Sequence, residues 1–421
     1  MRTAADWIRP ARIDARAAAI PDRSGHGLNS LPMERLALAR IAHDLRDPAI
    51  RLELWDGTAT GPPRGSARAS VTIRDRHALY ELIWDPDVGF GDRFSDGRIE
   101  VAGDLAYLLT AAYQAPSKGR AWSHLRTNSR SRAEDNVHRH YDLGNDFYRL
   151  WLDDQLLYTC AYFPTPDASL EEAQVAKMEM VCRKVGLEPG DHVIEAGCGW
   201  GALAIYMAQH YGVTVRACNV SKEQLAYARQ RAADTGLAGR VEFIEEDYRG
   251  ITGTFDKFVS IGMLEHVGEG QMRELGAVID RTLNPAHGRG IIHFIGRNAP
   301  EPLSRWITKR IFPGAYPPAL SEVTEGVLEP WRLSVLDVEN LRLHYAKTLE
   351  HWLARFEAAS DRVVTDYGEQ FARAWRLYLT GSLVGFRIGT LQLFQIAFAR
   401  ERHHGVPWTR AALYADPANG S

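Results

Sequence analysis

The run Glu195-Ala196-Gly197-Cys198-Gly199-Trp200-Gly201 constrains this chain more than any other segment. His192-Val193-Ile194 precedes it and Ala202-Leu203-Ala204-Ile205-Tyr206-Met207 follows, so the pattern predicts strand, glycine loop, helix. Glycines let a ligand approach the backbone closely, and a helix N-terminus offers free N–H groups. A packing turn uses the same device. The spacing is the short Gly-x-Gly-x-Gly, and Glu195 lies at the strand end ahead of it. A carboxylate there suits a nucleoside-type cofactor carrying positive charge better than one carrying pyrophosphate.

The segments that follow alternate. Val213 to Cys218 predicts a second strand, and Ser221 caps a helix beginning Lys222-Glu223-Gln224-Leu225. Val241 to Ile244 predicts a third strand, Phe255 to Ile261 a fourth, Gly270 to Leu283 a helix, and Gly290 to Ile295 a further strand. Such alternation implies a doubly wound α/β sheet, which binds ligands at the carboxyl ends of its strands. Val220 and Gln224 then face a ribose, and Glu246 or Asp247 an adenine amino group. Solvated loop acids are the bland alternative.

At 421 residues the chain predicts about two domains. Residues 1–32 form an N-terminal extension, 33–115 a small α+β domain, 116–135 a cationic linker and 136–421 one larger α/β unit. In the small domain, Ile50–Trp55 and Ala69–Ile73 read as strands, Trp84–Gly91 as a loop and Leu105–Tyr113 as a helix. A net charge of −3 gives no pull toward nucleic acid, so none is expected as a partner. No run approaches the ~18 apolar residues of a membrane span, and no signal peptide is legible at the N-terminus. Cys160, Cys182, Cys198 and Cys218 form neither a metal-ligand spacing nor a disulfide framework, so a cytoplasmic chain with free thiols and no metal is expected.

Two further segments carry a resemblance. One is Asn136-Val137-His138-Arg139-His140-Tyr141-Asp142-Leu143-Gly144-Asn145-Asp146-Phe147-Tyr148, continuing to Leu157-Tyr158-Thr159-Cys160-Ala161-Tyr162-Phe163; the other is Ser260-Ile261-Gly262-Met263-Leu264-Glu265-His266-Val267-Gly268. With the glycine loop they resemble the cyclopropane-fatty-acyl-phospholipid synthases, relatives of the mycolic acid cyclopropane synthases. The likeness covers about residues 136–400, including Leu391 to Phe398. The N-terminal part resembles the family's small lipid-binding domain more loosely, through Pro86 to Gly91 and Asp96 to Leu105.

The resemblance implies a Rossmann-like methyltransferase sheet and an enzyme that uses S-adenosylmethionine to methylenate double bonds of phospholipid acyl chains. A base must then remove a proton inside an apolar tunnel, where an ionised side chain is costly to bury. The family uses bicarbonate. Its ligands correspond to Cys160 and Ile295, through their backbones, and to Glu265, His293 and Tyr345. Glu265 must hold or pass a proton to bond an anion. Glu265 and His293 are expected at strand ends and Tyr345 at a helix start. A salt-bridged glutamate, a core histidine and a packing tyrosine are the bland alternatives. Cofactor contacts carry over to Tyr158, Thr159, Glu195, Gly197, Gly199, Val220, Gln224, Glu246 and Asp247. Glu195 and Ala217 stand where the family often has Asp and Gly, and Asn219 where it often has Thr. A relative that stops at a methyl- or methylene-branched chain is the alternative within this chemistry, and a non-catalytic lipid-binding protein the alternative outside it.

Unsaturated phospholipids are then the partner, reached from the inner membrane face by peripheral association; a homodimer stays open. Leu303 to Pro313 combines Trp306 and Phe312 with Arg305, Lys309 and Arg310, which suits either a membrane surface or an amphipathic helix packed on the core. The linker cations from Lys118 to Arg132 suit lipid phosphates or solvent equally.

Overall fold

The computed structural model describes residues 29–115 and 143–414. The linker, its cations, most of the N-terminal extension and the start of the first motif, through Asp142, lie outside the described residues. The chain divides into two compact units that are not contiguous in sequence. Among the described residues the first holds 29–115, Ser304–Pro313 and Trp352–Ile388, so it takes in two segments beyond residue 136; the second holds 143–303, Gly314–His351 and 389–414.

In the first unit, β1 (Ile50–Leu54), β2 (Ala59–Thr60), β3 (Ala69–Ile73) and β4 (Ile99–Gly103) form a sheet in the order β2-β1-β3-β4. Buried and half-buried positions alternate along β1 and β3. Their inward residues, Ile50, Leu52, Leu54, Val71 and Ile73, make the core with Leu38, Leu79 and Leu108. This is the period-2 pattern of a sheet covered on one face.

The expected loop over Trp84–Gly91 is instead the end of one helix, Arg76–Trp84, and the start of another, Pro86–Ser95. Asp85 caps the second by accepting from the Val88 N–H, and Pro86 fits the first helical turn, where no N–H is needed. Gly91 is there for close approach rather than for a turn: a Cβ on it would fall inside the Trp306 indole, 2.3 Å from Cδ1.

Trp306 sits on the short helix Arg305–Arg310 and is only 4% exposed. Arg305 pairs with Asp85 at 2.7 Å and Arg310 with Asp92 at 2.6 Å, while Ser304 donates to Asp87 at 2.7 Å. Phe312 meets Tyr378 edge-on. Of the two readings of Leu303–Pro313, core packing therefore holds, because its largest ring is buried and two of its cations are matched by carboxylates.

The second unit is a mostly parallel seven-stranded sheet. Its strands are β5 (His192–Ala196), β6 (Thr214–Asn219), β7 (Val241–Glu245), β8 (Lys257–Ile261), β9 (Arg289–Gly296), β10 (Leu333–Asn340) and β11 (Gln392–Arg400), in the order β10-β11-β9-β8-β5-β6-β7. From β9 to β7 all neighbours are parallel; β11 and β10 add antiparallel. Val193, Val259 and Ile291 enter one apolar cluster and Ile194, Phe258 and Ile292 the other, so both faces are closed. The chain runs from β5 outward through β6 to β7, then returns to β8 on the other side. That reversal opens a crevice above the end of β5.

Trp306→Ala should lower the stability of the first unit by about 3–5 kcal/mol, the usual cost of emptying a buried tryptophan site. Denaturant titration followed by circular dichroism checks this. An unchanged midpoint with reduced pelleting on anionic vesicles would return the segment to the membrane surface.

Candidate active site

The crevice is lined by residues from the carboxyl ends of β5 to β8 together with Leu156, Leu157, Tyr158, Thr159 and Lys177. All nine expected cofactor contacts, Tyr158, Thr159, Glu195, Gly197, Gly199, Val220, Gln224, Glu246 and Asp247, line this one cavity. The glycine loop is tied down from beneath, since Gly197 and Cys198 both donate to the Cys218 carbonyl, at 3.0 and 3.1 Å. Gly197 has φ +86°, and a Cβ there would press on Met263 at 3.1 Å. Opposite, Tyr158 packs among Tyr148 and Trp151, and Trp200 meets Tyr148, giving the cavity an aromatic wall.

Thr159 is held from both sides. Helix Leu170–Val185, capped by Ser169, supplies Gln174, which donates to the carbonyls of Leu157 and Thr159, and Lys177, whose Nζ donates to Thr159 Oγ1 at 2.9 Å. Asp153 accepts the N–H groups of Gln155 and Leu157, and between them Leu156 adopts a left-handed conformation, φ +57°. That strain lies in the cavity wall, where such outliers concentrate.

Burial raises the Glu195 carboxyl to about 8, and the nearby Lys177 only partly offsets it. Burial likewise lowers Lys177 to about 8, against the pull of Asp153, Cys160 and Glu195. Glu195 Oε2 is buried without a hydrogen-bond partner. On the ribose side Asn219 Nδ2 donates to Gln224 Oε1 at 2.8 Å, so the Gln224 acceptor is engaged and its buried Nε2 is left to donate. Asp247 accepts the Arg249 N–H and pairs with its guanidinium at 3.2 Å.

The residues expected to hold the base lie beside this cavity in two groups. Glu265 is in the short helix Leu264–Val267 after β8, between the cavity-lining Met263 and His266. His293 lies within β9 rather than at its end, because β9 runs on past β8; it pairs with Ile261, the last residue of β8. Gly262 donates to the His293 carbonyl at 2.8 Å, which ties the two segments together. The Ile295 N–H donates to Glu265 Oε1 at 2.5 Å, so it serves the carboxyl rather than a ligand. Glu265 Oε2 and His293 Nε2 are both buried without a hydrogen-bond partner. Burial raises Glu265 to about 7 and pushes His293 well below its usual range.

Cys160 and Tyr345 form the second group. Ala161 donates to Thr348 Oγ1 and Phe163 to His344 Nδ1, both at 3.0 Å, fastening the Cys160 segment along the helix Arg342–Ala358, whose first turn carries the buried Tyr345. The Cys160 thiol is fully buried and pushed far above its usual range, so it stays protonated.

Lys177, Trp200, Met263 and His266 also line the cavity but carry no expectation from sequence. For Lys177 a signal exists: it falls on the apolar stripe of its helix with Ala173, Met178 and Val181, where a lysine must have a polar partner.

Residues 128–396 match the family described as mycolic acid cyclopropane synthetase. The chain is similar to a probable fatty acid methyltransferase of Pseudomonas putida, at 36% identity over 388 residues covering 87% of this chain and 96% of that protein. It is similar also to the cyclopropane-fatty-acyl-phospholipid synthase of Escherichia coli K12, at 33% identity over 360 residues covering 81% and 91%. The structure of mycolic acid cyclopropane synthase CmaA1 complexed with SAH and CTAB superposes with a TM-score of 0.61 at 32% identity, covering 63% of this chain and 98% of that one.

Below a pH of about 8 the unliganded Glu195 carboxyl keeps its proton, and a cationic ligand group brought against it must displace that proton. Affinity for SAH should therefore rise with pH toward about 8, with proton release, and Glu195→Gln should flatten the dependence. Calorimetry in two buffers of different ionisation enthalpy measures both.

Proposed function

The chain belongs to the mycolic acid cyclopropane synthetase family, and on that premise we propose that it transfers a methylene group from S-adenosylmethionine to double bonds of unsaturated phospholipid acyl chains, with bicarbonate as the base. The observation that carries the reading is the pair of unpartnered buried atoms, Glu265 Oε2 and His293 Nε2, beside the cofactor cavity. Polar atoms in an apolar interior are almost always satisfied, and these two lie on segments joined by the Gly262–His293 and Ile295–Glu265 hydrogen bonds, so they point to a small polar ligand.

The residues present fit both S-adenosylmethionine and bicarbonate. S-adenosylmethionine supplies an electrophilic methyl, and the cavity offers what such a cofactor needs: a carboxyl at Glu195, a donor at Gln224 Nε2 and an aromatic wall that excludes water. An alkene is a weak nucleophile, so positioning by these walls supplies much of the rate. Bicarbonate supplies a base that no side chain has to carry ionised through the apolar interior. Glu265 is suited to hold it as a neutral acid. Its Oε1 accepts from the Ile295 N–H, so the carboxyl proton sits on the unpartnered Oε2.

The lipid contact falls to the first unit, whose Met33, Leu36, Ile83 and Trp84 are exposed, rather than to the buried Trp306. No helix among the described residues is long and apolar enough to cross a membrane, which fits association with its surface.

Glu265→Gln should reduce turnover about 10²–10⁴-fold, the range for one general-base step, while SAH affinity changes little. Mass spectrometry of host lipids after expression tests the product. A gain of one CH2 with loss of the alkene supports the reading; a methyl branch or unchanged lipids overturns it.

A further inference from the structure

Glu339 on β10, Gln395 on β11 and His293 on β9 are direct cross-strand partners, Glu339 opposite Gln395 and Gln395 opposite His293. They form one row on one face of the sheet. Beneath them Lys184, from helix Leu170–Val185, donates to Glu339 Oε2 and, at 2.5 Å, to Gln395 Oε1. Gln395 Nε2 lies 2.9 Å from His293 Nδ1. Lys184, Gln395 and His293 are each 2% exposed or less.

The donor and acceptor inventory of this row leaves one arrangement. Burial lowers the pKa of Lys184 while the Glu339 carboxylate beside it pulls the other way; as an ammonium the lysine only donates, so the amide oxygen of Gln395 faces it. The amide nitrogen then faces His293 and only donates. Nδ1 must accept, which leaves the ring proton on Nε2, the atom that has no protein partner.

We propose that Lys184 and Gln395 are positioning residues that lock His293 in the Nε2–H tautomer, turning its free nitrogen into a hydrogen-bond donor beside Glu265. What the donor is for rests on the bicarbonate reading: an oxyanion base needs a donor, and the opposite tautomer presents it with a lone pair. The lock itself belongs to the unliganded protein. Neither residue lines the cofactor cavity, so their effect separates from cofactor binding.

The test uses the full chain labelled with 15N-histidine, without ligand, at neutral pH. Long-range 1H–15N correlation spectra distinguish the tautomers, and the His293 signals are those missing in His293→Gln. Wild type should show protonated Nε2 and bare Nδ1. Gln395→Glu presents an acceptor to Nδ1 and should invert the tautomer; Lys184→Met frees the amide to rotate and should leave a mixture. Both variants should bind SAH within about twofold of wild type, which also reports that they are folded, while kcat of Gln395→Glu falls about 10²-fold or more. A wild-type Nδ1–H tautomer, or a pattern that neither variant changes, overturns the lock. Titrating bicarbonate into wild type separates the two readings. His293 signals that do not move would remove the base assignment, while the lock stands on the tautomer alone.

Discussion

Desolvation governs this molecule. The polar groups of the second unit sit on a sheet whose two faces are closed by apolar clusters, and burial is the largest influence on Glu195, Glu265, Lys177 and His293 alike. At about 1.4 kcal/mol per pK unit, the rise of Glu265 to about 7 represents roughly 3 kcal/mol against its charged form. Near neutrality, then, local hydrogen bonds decide where protons reside. The Ile295 N–H assigns the Glu265 proton to Oε2, and Gln395 assigns that of His293 to Nε2. The backbone has to deliver those bonds, which makes strand register a chemical variable.

Sheet topology divides the work accordingly. The parallel strands β5 to β8 reverse direction of winding at β5 and so open the crevice for a cofactor. The antiparallel additions β11 and β10 do something else: they set Gln395 and Glu339 in line with His293. His293 and Gln395, 102 positions apart, thus become neighbours through register alone. Shifting β11 by one residue would turn Gln395 to the opposite face and leave His293 Nδ1 without its donor.

Much of this was legible in the sequence, and where it was not the reason is physical. The strands from His192 to Gly296 could be read because sheets buried on both faces leave dense apolar runs bounded by turn residues. The glycine loop could be read because its spacing fits few other purposes. Pro86 to Gly91 misled because glycine serves two ends, conformational freedom and close approach, and only the location of Trp306 separates them. Lys184 and Gln395 were silent for a different reason: each looks ordinary within its own element, and the relation between them exists only across the sheet. The expected end-of-strand position of His293 failed because β9 continues past β8 to receive β11.

On the proposed chemistry, the nature of the two donors matters as much as their number. A lysine facing the base would bind it more tightly as an ion pair, and would also lower its basicity by stabilising the anion. Lys184 and Lys177 are both close enough to His293 to depress its protonation, yet each is engaged elsewhere, Lys184 by Glu339 and Gln395 and Lys177 by Thr159. The groups left to face the proposed anion are neutral ones, a protonated carboxyl and a neutral imidazole. Neutral donors in a low-dielectric interior hold an anion by directed bonds while leaving it basic. An acid–base site needs that compromise, and the desolvation that neutralises Glu265 and His293 is what supplies it.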